Sequence, residues 1–285
     1  MANFSQLPTR HIIQITGTEA KPFLQSLVSV DVIKIAESTA VYGLLLTPQG
    51  KILHDMFILS VNDALLIDVE ANQAEMLLKR LHLYKLKRDV VLQIAKDWRV
   101  AVMFGESNKK MSLENAIVVD DPRLKALGKR IYASQNIHAE AIGAAEKAAE
   151  DYEVFCTHLG VPNGADIAAD SYFAFDFDMD DLHAIDYTKG CYVGQEVTAR
   201  MHYRGVPKKG VYQISAMDDL LPESGTEISC TGKAAGVCIR TIGTQGIAVL
   251  RHEFAAGALF ADSIAIHATR PKWAKSISHF SHDSV

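Results

Sequence analysis

The run Lys189-Gly190-Cys191-Tyr192-Val193-Gly194-Gln195-Glu196 places a cysteine between two glycines, just ahead of a segment (Gln195 to Met201) that suits the first turns of a helix. Glycines let the backbone turn sharply and come close to a ligand. A thiol before a helix N-terminus, with Lys189 near it, is a setting that favours the thiolate. The same residues also suit a small buried side chain in a tight turn, and the sequence leaves both readings open.

Charge is partitioned around this run. Seven aspartates and no lysine or arginine lie between Asp166 and Asp186. From Lys189 to Gly210 there are five basic residues (Lys189, Arg200, Arg204, Lys208, Lys209) against Glu196 alone. This is either a solvated loop packed against a basic helix or the polar wall of a cavity for an anion. Asp55 interrupts the apolar run Ile52 to Ile58, and alternation along a strand sends it to the face opposite His54. If buried, it requires a hydrogen-bonded or charged partner; otherwise it marks an exposed edge. A second basic cluster (Lys79-Arg80 and Lys85-Leu86-Lys87-Arg88) surrounds His82 and Tyr84 at a predicted helix end. It complements the helix dipole or serves as a docking patch for a polyanionic tail or an RNA.

The elements that must position these residues are mixed. A strand is predicted at His11 to Ile15, then a helix from Glu19 with Phe23, Leu24, Leu27 and Val28 on one face. Val41 to Leu46 and Ile52 to Leu59 flank Thr47-Pro48-Gln49-Gly50-Lys51 as a hairpin. A strand at Ala64 to Val69 leads to a helix over Ala71 to Tyr84, and strands follow at Val90 to Ile94, Val100 to Phe104, Ala116 to Val119 and Lys129 to Ala133. A polar loop covers Gly105 to Lys110. The alanine-rich stretch Ala139 to Leu159 predicts one helix ended by Gly160. Beyond Lys208 helical period is lost, and short strands with frequent glycine predict an antiparallel barrel or sandwich. The expected domains are 1–206 and 207–285. His279 and His282, three apart, lie in a tail expected to fray and are given no role.

With 285 residues, 48% of them hydrophobic, the chain can build real cores and is not globally disordered. Its net charge of -5 offers no overall field for nucleic acid, which argues against direct nucleic-acid binding. No apolar run approaches the roughly 20 residues that span a bilayer, and the polar stretch Met1 to Arg10 lacks a signal-peptide core, so a cytoplasmic protein with no membrane partner is expected. Cys156, Cys191, Cys230 and Cys238 form no C-x-x-C pair. That argues against a disulfide framework or structural zinc, so a thiol that matters here matters singly.

Lys189 to Glu196 resembles the signature of the YgfZ family of folate-binding proteins, relatives of the glycine-cleavage T-protein, an aminomethyltransferase. The resemblance extends over Phe23-Leu24-Gln25 to Asp31-Val32, Leu45 to Lys51, Tyr84 to Arg88 and Gly232 to Leu250, and so over most of the chain. It implies an α+β fold of two interleaved ferredoxin-like units around a folate channel, followed by a small C-terminal antiparallel β-barrel. It also implies a folate-dependent factor for assembly or repair of iron–sulfur clusters, with tRNA-modifying radical enzymes among its clients. Its partners would be folate and iron–sulfur client enzymes or assembly proteins, and its cofactor tetrahydrofolate or a derivative. On this resemblance Asp55 contacts the pterin, and Arg88, Lys189 and Arg200 are candidates for the folate carboxylates. Gly190, Tyr192, Gly194, Gln195 and Glu196 line the site, and Cys191 is a redox-active or transiently cluster-binding thiolate. A single cysteine cannot supply the usual four thiolates, so no stably bound metal is expected. The alternatives are a folate-dependent aminomethyl- or one-carbon transferase, in which Asp55 orients or protonates the folate nitrogen and Cys191 is incidental, and a plain folate-binding module; Cys191, Asp55 and Lys189 are the candidates for chemistry. T-proteins are longer and lack the Lys-Gly-Cys signature, which weighs against glycine cleavage.

Overall fold

The computed structural model describes residues 2–105, 113–217 and 219–275; most of the Gly105 to Lys110 loop, and His279 and His282, lie outside the described residues. Two compact units form, and neither is continuous in sequence. The first takes Met1–Pro48, Leu53–Tyr152 and Leu182–Gln195; the second takes Gln49–Ile52, Glu153–Asp181 and Glu196–Val285.

In the first unit, two five-stranded sheets carry the fold. The chain runs β1 (Asn3–Gln6), β2 (Arg10–Thr16), α1 (Ala20–Gln25), β3 (Ala40–Leu46), β4 (Ile52–Val61), β5 (Ala64–Glu70), α2 (Ala71–Lys85), β6 (Val91–Ile94), β7 (Arg99–Phe104), β8 (Ala116–Asp120) and β9 (Lys129–Ala133). It continues with α3 (Ala139–Ile142), β10 (Ala145–Glu146) and α4 (Ala149–Leu159), which passes into the second unit. One sheet has the order β3-β4-β5-β2-β6 and the other β10-β1-β7-β9-β8. Alternation along the first sheet sends Ile13, Ile15, Met56, Ile58, Leu65, Ile67 and Val69 into a core with Phe23 and Leu24 of α1 and Ala74, Leu77 and Leu81 of α2. Removing such side chains from water is the main force seating both helices.

The opposite face is charged. Asp68 of β5, with no exposed side-chain surface, accepts from Arg10 Nε and Arg130 Nη2, each at 2.6 Å, and from the Tyr132 hydroxyl at 2.9 Å. Arg130 and Tyr132 come from β9, so Asp68 ties one sheet to the other. Asp121 holds Arg123 through both of its oxygens, at 3.0 and 2.8 Å. The guanidinium carbons of Arg10, Arg123 and Arg130 lie 5.6, 4.9 and 3.8 Å from the centre of the Phe57 ring, whose negative π-face suits them. Burial pushes the Asp68 carboxyl up, but Arg10 and Arg130 overcome this and hold it below the usual carboxylate range.

The predicted helix over Ala139 to Leu159 is three elements. Gly143 adopts φ +64°, its N–H bonds back to the Ala139 and Glu140 carbonyls, and α3 ends there. β10 then pairs in parallel with β1. α4 restarts after Ala148, whose N–H is taken by Asp151 Oδ2 at 3.0 Å. Alanine propensity reads straight across this interval; the pairing with β1 breaks it.

The second unit holds α5 (Gln195–Arg204), except for Gln195 itself, and the strands β11 (Lys209–Ala216), β12 (Glu227–Cys230), β13 (Lys233–Ile242), β14 (Gln245–Arg251), β15 (Leu259–Ala261) and β16 (Ile264–Thr269). They close a six-stranded barrel in the order β11-β14-β13-β12-β15-β16. Its core contains Tyr212, Ile214, Ile228, Cys230, Cys238, Leu250 and Leu259. The barrel strands all lie after Pro207, where the sequence places the second domain, but the compact unit also takes in residues 49–52 and 153–181. Gly236 is small because a Cβ there would come within 2.2 Å of the Val249 carbonyl oxygen, which lies on the neighbouring strand.

Asp68→Asn leaves Arg10 and Arg130 without their shared counter-charge and is expected to destabilise the protein by about 3–5 kcal/mol in urea titrations at pH 7. Because the Asp68 pKa is depressed, its stabilisation is present above the unfolded carboxylate value and is lost as pH falls through the folded one. The variant should therefore show a smaller loss of stability on acidification than the parent.

Candidate functional site

Lys189 turns inward. It is buried, and its ammonium donates to the backbone carbonyls of Gln25, Val28 and Val30 at 2.8, 2.5 and 2.9 Å. An ammonium has three protons, and three carbonyls take them. Nζ also sits 5.0 Å from the centre of the Tyr192 ring. Burial pulls the Lys189 pKa from the ordinary 10.5 down to about 8, against the opposing pull of Asp31 and Asp186. Lys189 is thus a clamp that fixes its own loop to the last residue of α1 and the segment after it.

Other polar groups tighten this clamp. Asp186 Oδ1 accepts from the Thr188 N–H and hydroxyl at 2.7 Å each, and from the Lys189 N–H at 3.2 Å. Ser29 Oγ donates to the Ala184 carbonyl at 2.5 Å and accepts from the Leu44 N–H at 2.8 Å. The Asp186 N–H in turn donates to the Ser29 carbonyl at 2.9 Å. Neither Ser29 nor Asp186 stands out in the sequence as a site residue. The one local signal is the Asp-x-Thr spacing of Asp186 and Thr188, which matches an Asx-turn.

The clamp leaves the thiol outside. Of the four cysteines, Cys191 is exposed and Cys156, Cys230 and Cys238 are buried. Burial pushes the Cys238 thiol up to about 11. The reading of Cys191 as a small buried residue is thus removed. Gly194 adopts φ +83°, a conformation that favours glycine, and α5 begins at the next residue. Gly190 lies outside that region, and a Cβ on it would meet nothing within 4 Å, so the backbone before Cys191 faces open space. Gln195 Oε1 accepts from the Tyr192 N–H at 3.3 Å, and the Tyr192 side chain is buried.

Asp55 is buried on the charged face of the first sheet, and Tyr42 Oη donates to its Oδ2 at 2.9 Å. β4 lies between β3 and β5, so the exposed-edge alternative for Asp55 does not hold. Tyr42 stacks near Phe57 with ring centres 5.0 Å apart, and Arg123 covers both rings. His54 faces the other way; its Nδ1 pairs with Gln73 Oε1 at 2.9 Å, and burial lowers its pKa. Arg88 is half-buried, with its guanidinium carbon 5.9 Å from the centre of the Phe23 ring. Asp55, Arg88 and Lys189 to Gln195 all belong to the first unit, whereas Glu196 and Arg200, both exposed on α5, belong to the second.

Three of the seven aspartates of the acidic segment are paired with cations within the second unit. Asp166 pairs with Arg240, Asp178 with Arg270 at 2.7 Å, and Asp181 with Lys275 at 2.9 Å. Only His202, paired with Asp180 at 3.2 Å, comes from α5. The partners are chiefly barrel residues rather than the basic helix that the sequence suggested.

Residues 208–276 match a family described as CAF17, C-terminal beta-barrel domain. An iron-sulfur cluster assembly factor IBA57 homolog, mitochondrial, from Neurospora crassa is 28% identical over 88% of this chain and 70% of the relative. The iron-sulfur cluster assembly factor IBA57, mitochondrial, of Homo sapiens is 26% identical over 96% of this chain and 85% of its own length. Among solved structures, the glycine cleavage system aminomethyltransferase T from Bartonella henselae superposes with a TM-score of 0.76 at 13% identity, covering 95% of this chain and 86% of that one. The fold is thus α+β of the aminomethyltransferase T type with a closed C-terminal barrel.

Lys189→Met removes three donors from three carbonyls and is expected to cost about 3 kcal/mol or more, at roughly 1–3 kcal/mol per unsatisfied group. In the parent, the Lys189 side-chain resonance should titrate near pH 8. Between that pH and the ordinary lysine value the unfolded chain binds more protons, so this group's contribution to stability rises with pH. A midpoint above 10 by NMR would mean that the three carbonyls hold the proton more strongly than burial expels it.

Proposed function

We propose that this protein is a folate-binding factor for the assembly or repair of iron–sulfur clusters, of the YgfZ type. The observation that carries the reading is the exposed Cys191 on a loop held rigid by the buried Lys189. The names of the relatives support the cluster role, and the aminomethyltransferase T fold supports the folate role.

In this reading the cluster is cargo. The Cys191 thiol loses its proton to water, its Sγ forms one Fe–S bond, and one ligand of the donor protein leaves that iron. The remaining ligands belong to the donor or the client, since one cysteine cannot hold a cluster. Reduced folate supplies a site-organising ligand. Asp55, oriented by Tyr42, accepts a hydrogen bond from the pterin. Because Lys189 is occupied by carbonyls, Arg88 remains as the cation of the first unit for the folate carboxylates; among the described residues it is in no ion pair. Clients that include tRNA-modifying radical enzymes belong to the same reading. The T fold also favours a second one, in which the chain turns over as an aminomethyl- or one-carbon transferase; methylene transfer with multiple turnovers would establish it.

Two measurements test the proposal. Iodoacetamide at neutral pH should alkylate Cys191 before the other three cysteines, and Cys191→Ala should fail to restore iron–sulfur enzyme activity in cells lacking the protein; full restoration would refute the thiol role. Calorimetry with tetrahydrofolate should show binding that Asp55→Ala weakens by about 1–3 kcal/mol. Unchanged affinity would remove Asp55 from the site.

A further inference from the structure

The outer face of α2 and the turn that follows it combine features that the fold of the free chain does not need. Residues 75–89 contain five cations (Lys79, Arg80, Lys85, Lys87 and Arg88) against Glu75 and Asp89 at the two ends, in a chain of net charge -5. Among the described residues none of the five makes an ion pair. The same surface exposes Met76, Leu83 and Leu86 to 51, 77 and 85%. The inner face of α2 is already used, since Ala74, Leu77 and Leu81 are buried in the core.

Leu86 is the informative residue. The Arg88 N–H donates to the Lys85 carbonyl at 3.1 Å, closing a β-turn, and Leu86 stands second in it with φ +51° and ψ -121°. Those angles are the first central position of a type II′ turn, which glycine dominates because a Cβ is crowded there. A leucine at that position carries backbone strain and also projects its side chain into solvent. Both effects work against the free protein, and glycine would remove both. Strain kept at an exposed apolar residue points to a contact made outside the chain.

We propose that this face docks a partner protein through an acidic surface with an apolar ridge: Met76, Leu83 and Leu86 seat the ridge while Lys79, Lys85 and Lys87 meet carboxylates. Lys79 decides against a membrane. It is three residues after Met76 and four before Leu83, on the same stripe of the helix, so immersing the two apolar side chains in lipid would immerse the ammonium too. An RNA is gripped by bases stacked on several aromatic rings, whereas Met76, Leu83 and Leu86 are aliphatic and only Tyr84 and His82 of residues 76–88 carry an exposed ring. The inference goes beyond the cluster reading and does not rest on it, since neither Cys191 nor Asp55 enters it.

The test uses the full chain and a fluorescein-labelled synthetic helix bearing leucines on one stripe, flanked by glutamates, read by fluorescence anisotropy at physiological salt. Saturable one-to-one binding is expected. Lys79→Glu with Lys87→Glu should weaken it at least about tenfold, and a peptide with its glutamates changed to lysines should recover binding to that variant. Leu86→Gly should raise the thermal midpoint by roughly 2 °C, as relief of strain requires, and weaken the peptide at least threefold. The proposal is overturned if the peptide does not bind, if charge reversal or Leu86→Gly leaves its affinity unchanged, or if Leu86→Gly lowers the midpoint. Tighter binding of a single-stranded RNA oligonucleotide or of phosphatidylserine vesicles, or self-association abolished by Leu86→Gly, would overturn it in favour of those occupants.

Discussion

Asp68 is a single carboxylate placed where two sheets meet, and much of the first unit is arranged around it. It neutralises Arg10 from its own sheet and Arg130 from the other, and it accepts the Tyr132 hydroxyl. A charge buried to this depth is tolerated only when paired and hydrogen-bonded. The geometry is therefore demanding: β5 and β9 must present their residues in one register, or Arg10 keeps only Glu70 and Arg130 only the more distant Asp121 as counter-charge. An apolar layer could slide without such a penalty. The charged layer specifies one arrangement, with Phe57 as the flat surface over which three arginines are stacked.

The candidate site inherits that arrangement. β4 carries Phe57 into the charged layer, and two residues earlier on the same face it carries Asp55. Tyr42, which orients Asp55, is itself packed against Phe57 and Arg123. The loop with Cys191 is fixed by a different device, an ammonium bonded to three carbonyls of the last residue of α1 and the segment after it. That segment follows directly on α1, which the apolar side of the first sheet holds in place. The two faces of one sheet thus set the two halves of the proposed chemistry: a fixed carboxylate on the charged side, and an exposed thiol on a loop anchored through the apolar side.

Lys189 shows how far a side chain can be placed from its neighbours in sequence. A lysine next to a cysteine invites an electrostatic reading, because sequence adjacency suggests spatial adjacency. In the structure its ammonium is taken up by the carbonyls of Gln25, Val28 and Val30. Asp186 and Ser29, unremarkable in sequence, complete the anchorage because their short side chains reach backbone groups nearby.

What the sequence determined by itself were the features that depend on neighbours along the chain. The strands from His11 to Ala133, the helix over Ala71 to Tyr84, the glycine-punctuated barrel after Lys208 and the lone Cys191 motif all follow from periodicity, turn chemistry and spacing, whereas β1 at Asn3–Gln6 does not. The alternation that buries Asp55 opposite His54 was legible too, although its partner Tyr42 was not. What only the tertiary structure decided were the long-range pairings. The parallel contact of β10 with β1 split the alanine-rich helix at Gly143. The aspartates of the acidic segment found barrel cations far along the chain. The positive φ of Leu86, at a residue whose type argues against it, was likewise invisible beforehand. The physical reason is common to the first two: local propensities are worth tenths of a kcal/mol to about one per residue, and a strand pairing or a buried charge pair exceeds them.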